Sequence, residues 1–291
     1  MPELPEVETI RSGLSRLLPG RQIAAVRFDT PKSFPNAPAD VEAFMTGAQI
    51  VAVARRAKVL LIELSSKYSL VIHLKMTGQL VFQAPGVHFG AGHPNDSLVG
   101  PLPDRSTRVT VDFADGSQLF FNDQRKFGWM RLMPTAEIPQ LDFFKKVGPE
   151  PLGSDFTWQV LKTRLLRRKN TNVKAAILDQ SVVAGVGNIY ADESLWGAKI
   201  HPATIVRELS DKDFKNLHKS LQAILRLSIE KGGSTDKHYV DAEGKKGSYL
   251  SFASVFRREG RPCPRCGTTI IKTRVAGRGT HICPHCQQLQ A

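Results

Sequence analysis

The sequence is short of cysteine, of long apolar runs and of acid. Only four cysteines occur, all between positions 263 and 286 of 291 residues. A disulfide framework would spread them through the fold, so a cross-linked secreted scaffold is excluded. No stretch approaches the roughly 20 continuous apolar residues that a membrane span needs. Glu3, Glu6 and Glu8 stand where a secretory signal would be basic. The expectation is a cytoplasmic protein with no membrane partner. No internal repeat is visible. Asp and Glu number 27 against 40 Lys and Arg, a net charge of +13. That imbalance favours a polyanionic partner, nucleic acid first. A membrane surface would call for an amphipathic basic helix, and none stands out. Plain solubilising charge is the blander reading. Against it, basic residues recur beside glycines and aromatics, as in RKFGWMR and GRGTH.

The chain is long enough for two or three compact units. Val7, Ile10, Leu14 and Leu17 share one helical face over residues 3–18, with Pro5 in the first turn and Gly20 as a stop. From about 22 to 135, short runs such as VLLIEL, SLVIHLKM and SQLFFND alternate with turn residues. They predict an antiparallel sandwich or barrel. GVHFGAGHPNDSLVGPLPD (86–104) reads as a long mobile loop interrupting it. Helical patterns follow a Pro- and Gly-rich linker, the last beginning at Ser210 with Asp213 three residues on, a capping signal. KHYVDAEGKKGSYLSF reads as a flexible loop. The domains expected are 1–134, a linker 135–155, 156–231, a loop region 232–254 and 255–291. The fold class is α+β.

CPRC at 263–266 and CPHC at 283–286 stand sixteen residues apart. Two knuckles of two thiolates each close a tetrahedron, so Cys263, Cys266, Cys283 and Cys286 predict one structural Zn2+ with no open position. A pair of redox dithiols is the competing reading. His281 and His285 are potential substitutes that four sulfurs make unnecessary. Between the knuckles, Lys272, Arg274 and Arg278 lie on a basic hairpin suited to phosphates.

The opening MPELPEVETIRSGL resembles the N-terminus of the formamidopyrimidine-DNA glycosylases. The resemblance continues in order through RRAK (55–58), HLKMTG (73–78), DQRKFG (123–128), VKAAILDQ (173–180), GVGNIYADE (185–193) and the finger with GRGT. It implies an N-terminal helix with a β-sandwich, a helix–two-turn–helix domain and a zinc-finger hairpin. It further implies a monomer that excises oxidised purines from damaged double-stranded DNA and then cleaves the strand.

Met1 would be removed and Pro2 would be the nucleophile. A terminal amine has an unperturbed pKa near 8, and a secondary amine yields an iminium at sugar C1′. Glu3 would exchange protons with the opening sugar or the amine, Lys58 would assist base departure or elimination, and Arg278 would grip the phosphates flanking the lesion. Glu6 would face the flipped nucleotide. Met76, Arg125 and Phe127 would fill the hole left by the extruded nucleotide, while His73, Lys174 and Asn188 would contact phosphates.

Taken singly, each residue has a plainer reading. Pro2 is an ordinary terminus, Glu3 and Glu6 are helix-dipole carboxylates, Lys58 is a solvated charge, and Met76 and Phe127 are core. Asn170 stands where the family usually has a basic phosphate contact, and VFRREG (255–260) replaces a more usual Tyr-Gly pair. The competing functions are an endonuclease VIII-type enzyme for oxidised pyrimidines, a catalytically silent zinc-ribbon DNA-binding protein, and an RNA-binding zinc-ribbon factor.

Overall fold

Alternation of apolar and polar residues, broken by turn residues, gives the first part of the chain nine antiparallel strands among the described residues. In the computed structural model, residues 2–28, 31–93, 95–234 and 249–289 are described. The helix α1 (Leu4–Leu17) leads into β1 (Ile23–Phe28), α2 (Pro38–Phe44), β2 (Ile50–Arg56), β3 (Val59–Leu64), β4 (Tyr68–His73), β5 (Gly78–Ala84) and β6 (Val87–Gly92). The strands β7 (Thr107–Phe113), β8 (Gln118–Asp123) and β9 (Trp129–Pro134) follow. One sheet has the order β1-β7-β8-β5-β6 and the other β2-β3-β4-β9. Their inner faces share one core, with Leu60, Ile62 and Ile72 from one sheet and Phe82, Val111 and Phe121 from the other. Val7, Ile10 and Leu14 of α1 enter the same core. Burying an apolar helix stripe and two sheet faces together is what stabilises the unit.

The helix lies hard against β6. A Cβ on Gly13 would come within 2.3 Å of the Phe89 ring, so only glycine permits this approach.

The segment 86–104 is not the mobile loop that its composition suggests. Its first third is β6, in register with β5 from Ala84↔Val87 to Gln79↔Gly92. A 3-10 turn at Asp96–Leu98 follows, and Leu98 packs with Val81 and Phe120 on the outer face of the sheet. Asp104 pins the far end, accepting from Ser106 N at 2.7 Å and Ser97 Oγ at 2.6 Å. Glycines and prolines hid the strand, while the apolar outer face of β5 and β8 gave it something to cover. The outer face of the other sheet is covered too. Ile138, within a 3-10 turn at Thr135–Gln140, packs on Val59 and Val71. Burial on both faces explains the nearly continuous apolar runs of β4 and β8.

The chain divides into two compact units, residues 1–145 with 231–248, and 146–230 with 249–291. After the short helix α3 (Asp142–Lys146), the second unit contains α4 (Trp158–Leu166), α5 (Val173–Leu178), α6 (Asn188–Ala198), α7 (Asp211–Glu230) and α8 (Tyr249–Phe252). It ends in the hairpin β10 (Ile271–Val275) and β11 (Arg278–Ile282). Leu161, Ile177, Tyr190, Leu195, Phe214 and Leu221 form its core. Ser210 and Asp213 close a capping box at the head of α7, Ser210 N donating to Asp213 Oδ2 at 2.9 Å and Asp213 N to Ser210 Oγ at 3.3 Å. Met1 and most of the loop region expected at 232–254 lie outside the described residues.

Candidate active site and nucleic-acid interface

Pro2 and Glu3 are buried at the head of α1. The first backbone amides of a helix have no helical partner, and Glu6 meets one of them here: its Oε2 accepts from Glu3 N at 2.8 Å. Its other oxygen accepts from Ser234 N and Ser234 Oγ, each at 2.7 Å. Glu6 therefore anchors the residue beside Pro2, and ties it to the residues that follow α7. A carboxylate held by several donors is committed as an acceptor.

Lys58 lies in the two-residue turn of the β2–β3 hairpin, between the paired Arg56 and Val59. It is buried, so it is not the solvated charge that lysine usually is. Arg55 holds this turn in place. Its Nη1 donates to Ala57 O at 2.8 Å and its Nε to Glu8 Oε2, also at 2.8 Å. Glu8 sits on the second turn of α1, so one ion pair ties the helix carrying Pro2 and Glu3 to the turn carrying Lys58. Neither Arg55 nor Glu8 was marked by the sequence as more than a surface charge.

His73 ends β4 opposite Val59. Burial lowers its pKa to about 3, with Lys75 and then Lys58 adding repulsion. It is neutral at physiological pH. Lys75 N donates to His73 Nδ1 at 3.0 Å, which puts the ring proton on Nε2. Toward a phosphate it offers a hydrogen bond and no charge.

Met76 and Phe127 are 41% and 47% exposed, and Arg125, on the same loop as Phe127, is exposed as well. Core packing does not account for either apolar side chain. The Arg125 guanidinium stands 4.8 Å from the Phe127 ring centroid, a cation–π contact.

In the second unit the expected phosphate contacts are differently placed. Lys174 is fully buried. Its ammonium donates to Asp192 Oδ1 at 2.6 Å, Thr280 Oγ1 at 2.7 Å and Gly279 O at 3.1 Å. Its three protons are used inside the fold, where this lysine fastens the hairpin. Asn188, at the head of α6, donates to the same Gly279 carbonyl at 3.0 Å. Asp192 also accepts from His281 N at 2.9 Å and faces His281 Nδ1 at 3.2 Å. The adjacent Glu193 accepts from Ser254 N, Val255 N and Phe256 N at 2.8–2.9 Å. Burial pushes its pKa up, against the pull of those donors. These ties present Arg278, exposed at the first position of β11 beside the turn Ala276–Gly277. Both turn residues have positive φ, +50° and +73°, as a tight two-residue hairpin requires. Asn170 is exposed and accepts from Arg207 Nη1 at 2.8 Å, so a guanidinium supplies the positive charge that Asn170 lacks.

The sulfurs of Cys263, Cys266, Cys283 and Cys286 all lie within 4.8 Å of one another. A tetrahedron with Zn–S bonds near 2.3 Å has edges of about 3.8 Å, so the four fit one zinc. His281 is not part of this cluster, and its Nδ1 faces Asp192 Oδ2 at 3.2 Å. The zinc is structural, its four positions filled by protein.

A sandwich with a rigidly capped terminus, a helical unit and a zinc ribbon define a DNA glycosylase of the helix–two-turn–helix class. Family models agree along the chain: the formamidopyrimidine-DNA glycosylase N-terminal domain at residues 1–130, its H2TH domain at 147–239, and the zinc finger found in FPG and IleRS at 260–289. The formamidopyrimidine-DNA glycosylase of Herpetosiphon aurantiacus is 44% identical over 289 residues, covering 99% of this chain and 100% of its own. That of Pelotomaculum thermopropionicum is 40% identical over 291 residues, with both chains fully covered. The Lactococcus lactis Fpg in complex with an abasic site containing DNA superposes with a TM-score of 0.86 at 35% identity, covering 99% of this chain and 100% of that one. MutM in complex with carbocyclic 8-oxo-G containing DNA gives 0.84 at 35% identity over the same shares. The chain belongs to the formamidopyrimidine-DNA glycosylase family, enzymes of base-excision repair.

Proposed function

We propose that this enzyme excises oxidised purines, 8-oxoguanine and formamidopyrimidines, from damaged double-stranded DNA and cleaves the strand through an iminium on Pro2. The observation that carries this reading is the buried Pro2–Glu3 pair, held by Glu6 at the head of α1 in a chain that matches the family from end to end. Removal of Met1 frees the Pro2 amine. Its lone pair attacks C1′, the glycosidic bond breaks, and the base leaves with a proton that Lys58 supplies. Glu3 protonates the opening ring oxygen, and loss of the amine proton leaves an iminium at C1′. The iminium acidifies C2′, the Glu3 carboxylate left by the ring opening takes that proton, and the 3′ phosphate departs. A second elimination releases the 5′ phosphate, with Arg278 holding the flanking phosphates. The products are a one-nucleotide gap and an aldehyde fragment released from Pro2 by water.

Reaching C1′ requires extrusion of the nucleotide. Met76, Phe127 and Arg125 are suited to the vacated space, the last as a donor to the orphaned base. His73, Asn170, Asn188 and the Arg278 hairpin serve the backbone, with Lys174 acting through that hairpin, and Glu6 lines the lesion pocket. The enzyme would work as a monomer on the DNA of the cytoplasm, drawn there by its charge of +13.

Borohydride trapping tests the reading. Duplex carrying 8-oxoguanine opposite cytosine should yield a covalent adduct on the peptide beginning at Pro2, and Pro2→Gly should bind this duplex yet lose most cleavage. Full cleavage by Pro2→Gly would remove the nucleophile assignment. An adduct formed only with an oxidised pyrimidine would move the substrate to the endonuclease VIII type.

A further inference from the structure

One buried carboxylate holds both of the loops that carry the proposed fillers. Asp123, the last residue of β8, is fully buried and pairs with Gly78 at the head of β5. Its Oδ1 accepts from the Thr77 hydroxyl, next to Met76, and from Arg125 N at 3.2 Å. Its Oδ2 accepts from Gly128 N at 2.6 Å, next to Phe127. Thr77 Oγ1 in turn accepts from Arg125 N at 3.1 Å, closing a ring between the two loops. The buried Arg108 completes the frame, its Nε donating to Asp123 O at 3.0 Å and its Nη2 to Arg105 O at 2.8 Å.

Both loops need such a brace. Lys75, just before Met76, has φ +51°, and Lys126, just before Phe127, has φ +55°. A left-handed lysine is strained and persists only where the surroundings enforce it. The space is equally tight. A Cβ on Gly128 would meet Asp123 Oδ2 at 3.0 Å and Leu74 O at 3.1 Å. Each filler side chain is therefore exposed while the backbone beneath it is fixed to the same carboxylate.

We infer that Asp123, with Thr77, is a positioning residue that sets the spacing of Met76 against Arg125 and Phe127, and so controls how the duplex is opened and how the opposite base is read. Neither group touches the reacting atoms. The inference rests on the proposed role of those three side chains as fillers, and the test separates the two.

The variants are Thr77→Val, which keeps shape and removes the hydroxyl, Thr77→Ser, which restores it, and Asp123→Asn, with Met76→Ala and Phe127→Ala beside them. Excision of 8-oxoguanine is measured opposite cytosine and opposite adenine, together with incision at a preformed abasic site. A misplaced side chain costs roughly ten- to a hundredfold in a positioned reaction. Thr77→Val should lower excision from lesion duplex by about tenfold or more, lower abasic-site incision far less, and narrow the cytosine-to-adenine ratio. Thr77→Ser should recover both values. A general loss of folded protein would scale all three substrates together and leave the ratio unchanged. Unchanged ratios in Thr77→Val and Asp123→Asn, with Phe127→Ala or Met76→Ala altering them, would overturn the inference and keep the fillers. If Met76→Ala and Phe127→Ala also leave every ratio alone, the filler reading itself falls.

Discussion

At the scale of single residues, burial decides which charges of this basic chain are available. His73 is the clearest case. Its pKa lies near 3 against an ordinary 6.5, because burial and then the charges of Lys75 and Lys58 oppose protonation. Between these two values the unfolded chain binds a proton that the folded chain refuses. Stability from this group is therefore complete above about pH 6.5 and is lost as the pH falls toward 3. The prediction is that His73→Gln loses less stability than the parent between pH 6.5 and 4, measured by urea unfolding at both values. Arg257 is exposed, and there the backbone decides. It takes φ +56° in VFRREG, the stretch standing where the family usually has a Tyr-Gly pair. Arg257→Gly should raise stability by about 0.5–1 kcal/mol, because glycine enters that conformation without a Cβ clash. A lower urea midpoint would show that the arginine side chain contributes more than its backbone costs.

At the scale of elements, α6 serves as the frame on which the hairpin and the preceding segment are built. Glu193 offers one oxygen to Val255 N and Phe256 N and the other to Ser254 N and the Tyr249 hydroxyl. Glu193→Gln must turn an NH2 group toward one of these pairs of donors, whichever way the amide points. Its expected cost is about 2–3 kcal/mol, read as a lower unfolding midpoint and faster amide exchange at 254–256. An unchanged midpoint would mean that the segment is held by its apolar contacts alone. This element also shows what was legible in the sequence. The periodicities of α1 and the strands, the Ser210 cap and the four cysteines are local patterns, and each names its own structure. IYADE held a usable signal as well, since adjacent acids on an otherwise apolar helix demand buried partners. Which partners they take was not legible. Asp192 meets His281 and Lys174, and Asp123 meets Thr77, across separations that no local pattern encodes. For the same reason 86–104 reads as a loop until the apolar sheet face that holds it is known.

At the scale of the whole molecule, two separate cores imply that metal and DNA affinity are linked through only part of the chain. The sandwich core draws on residues from Val7 to Leu132, and the helical core on residues from Phe156 to Ala253. Cys263, Cys283 and Cys286 lie in a small cluster of their own with Val255 and Ile270. A cluster of that size cannot support a ribbon alone, so metal binding supplies most of its folding free energy. Removing zinc with a strong chelator, or replacing Cys286 by Ser, should lower the thermal transition of the helical and ribbon unit and leave that of the sandwich in place. The ribbon also carries Lys272, Arg274 and Arg278, all exposed. Every cation that no longer reaches a phosphate should reduce the slope of log affinity against log salt by about 0.9. The metal-depleted protein should therefore bind duplex more weakly and with a shallower salt dependence, while Arg278→Ala alone should lower the slope by roughly the share of a single cation. Calorimetry with and without chelator, beside a salt titration of duplex binding, measures both effects. A sandwich transition that fell with the metal would mean that the two cores unfold together, and an unchanged salt slope would mean that the ribbon's cations do not reach the phosphates.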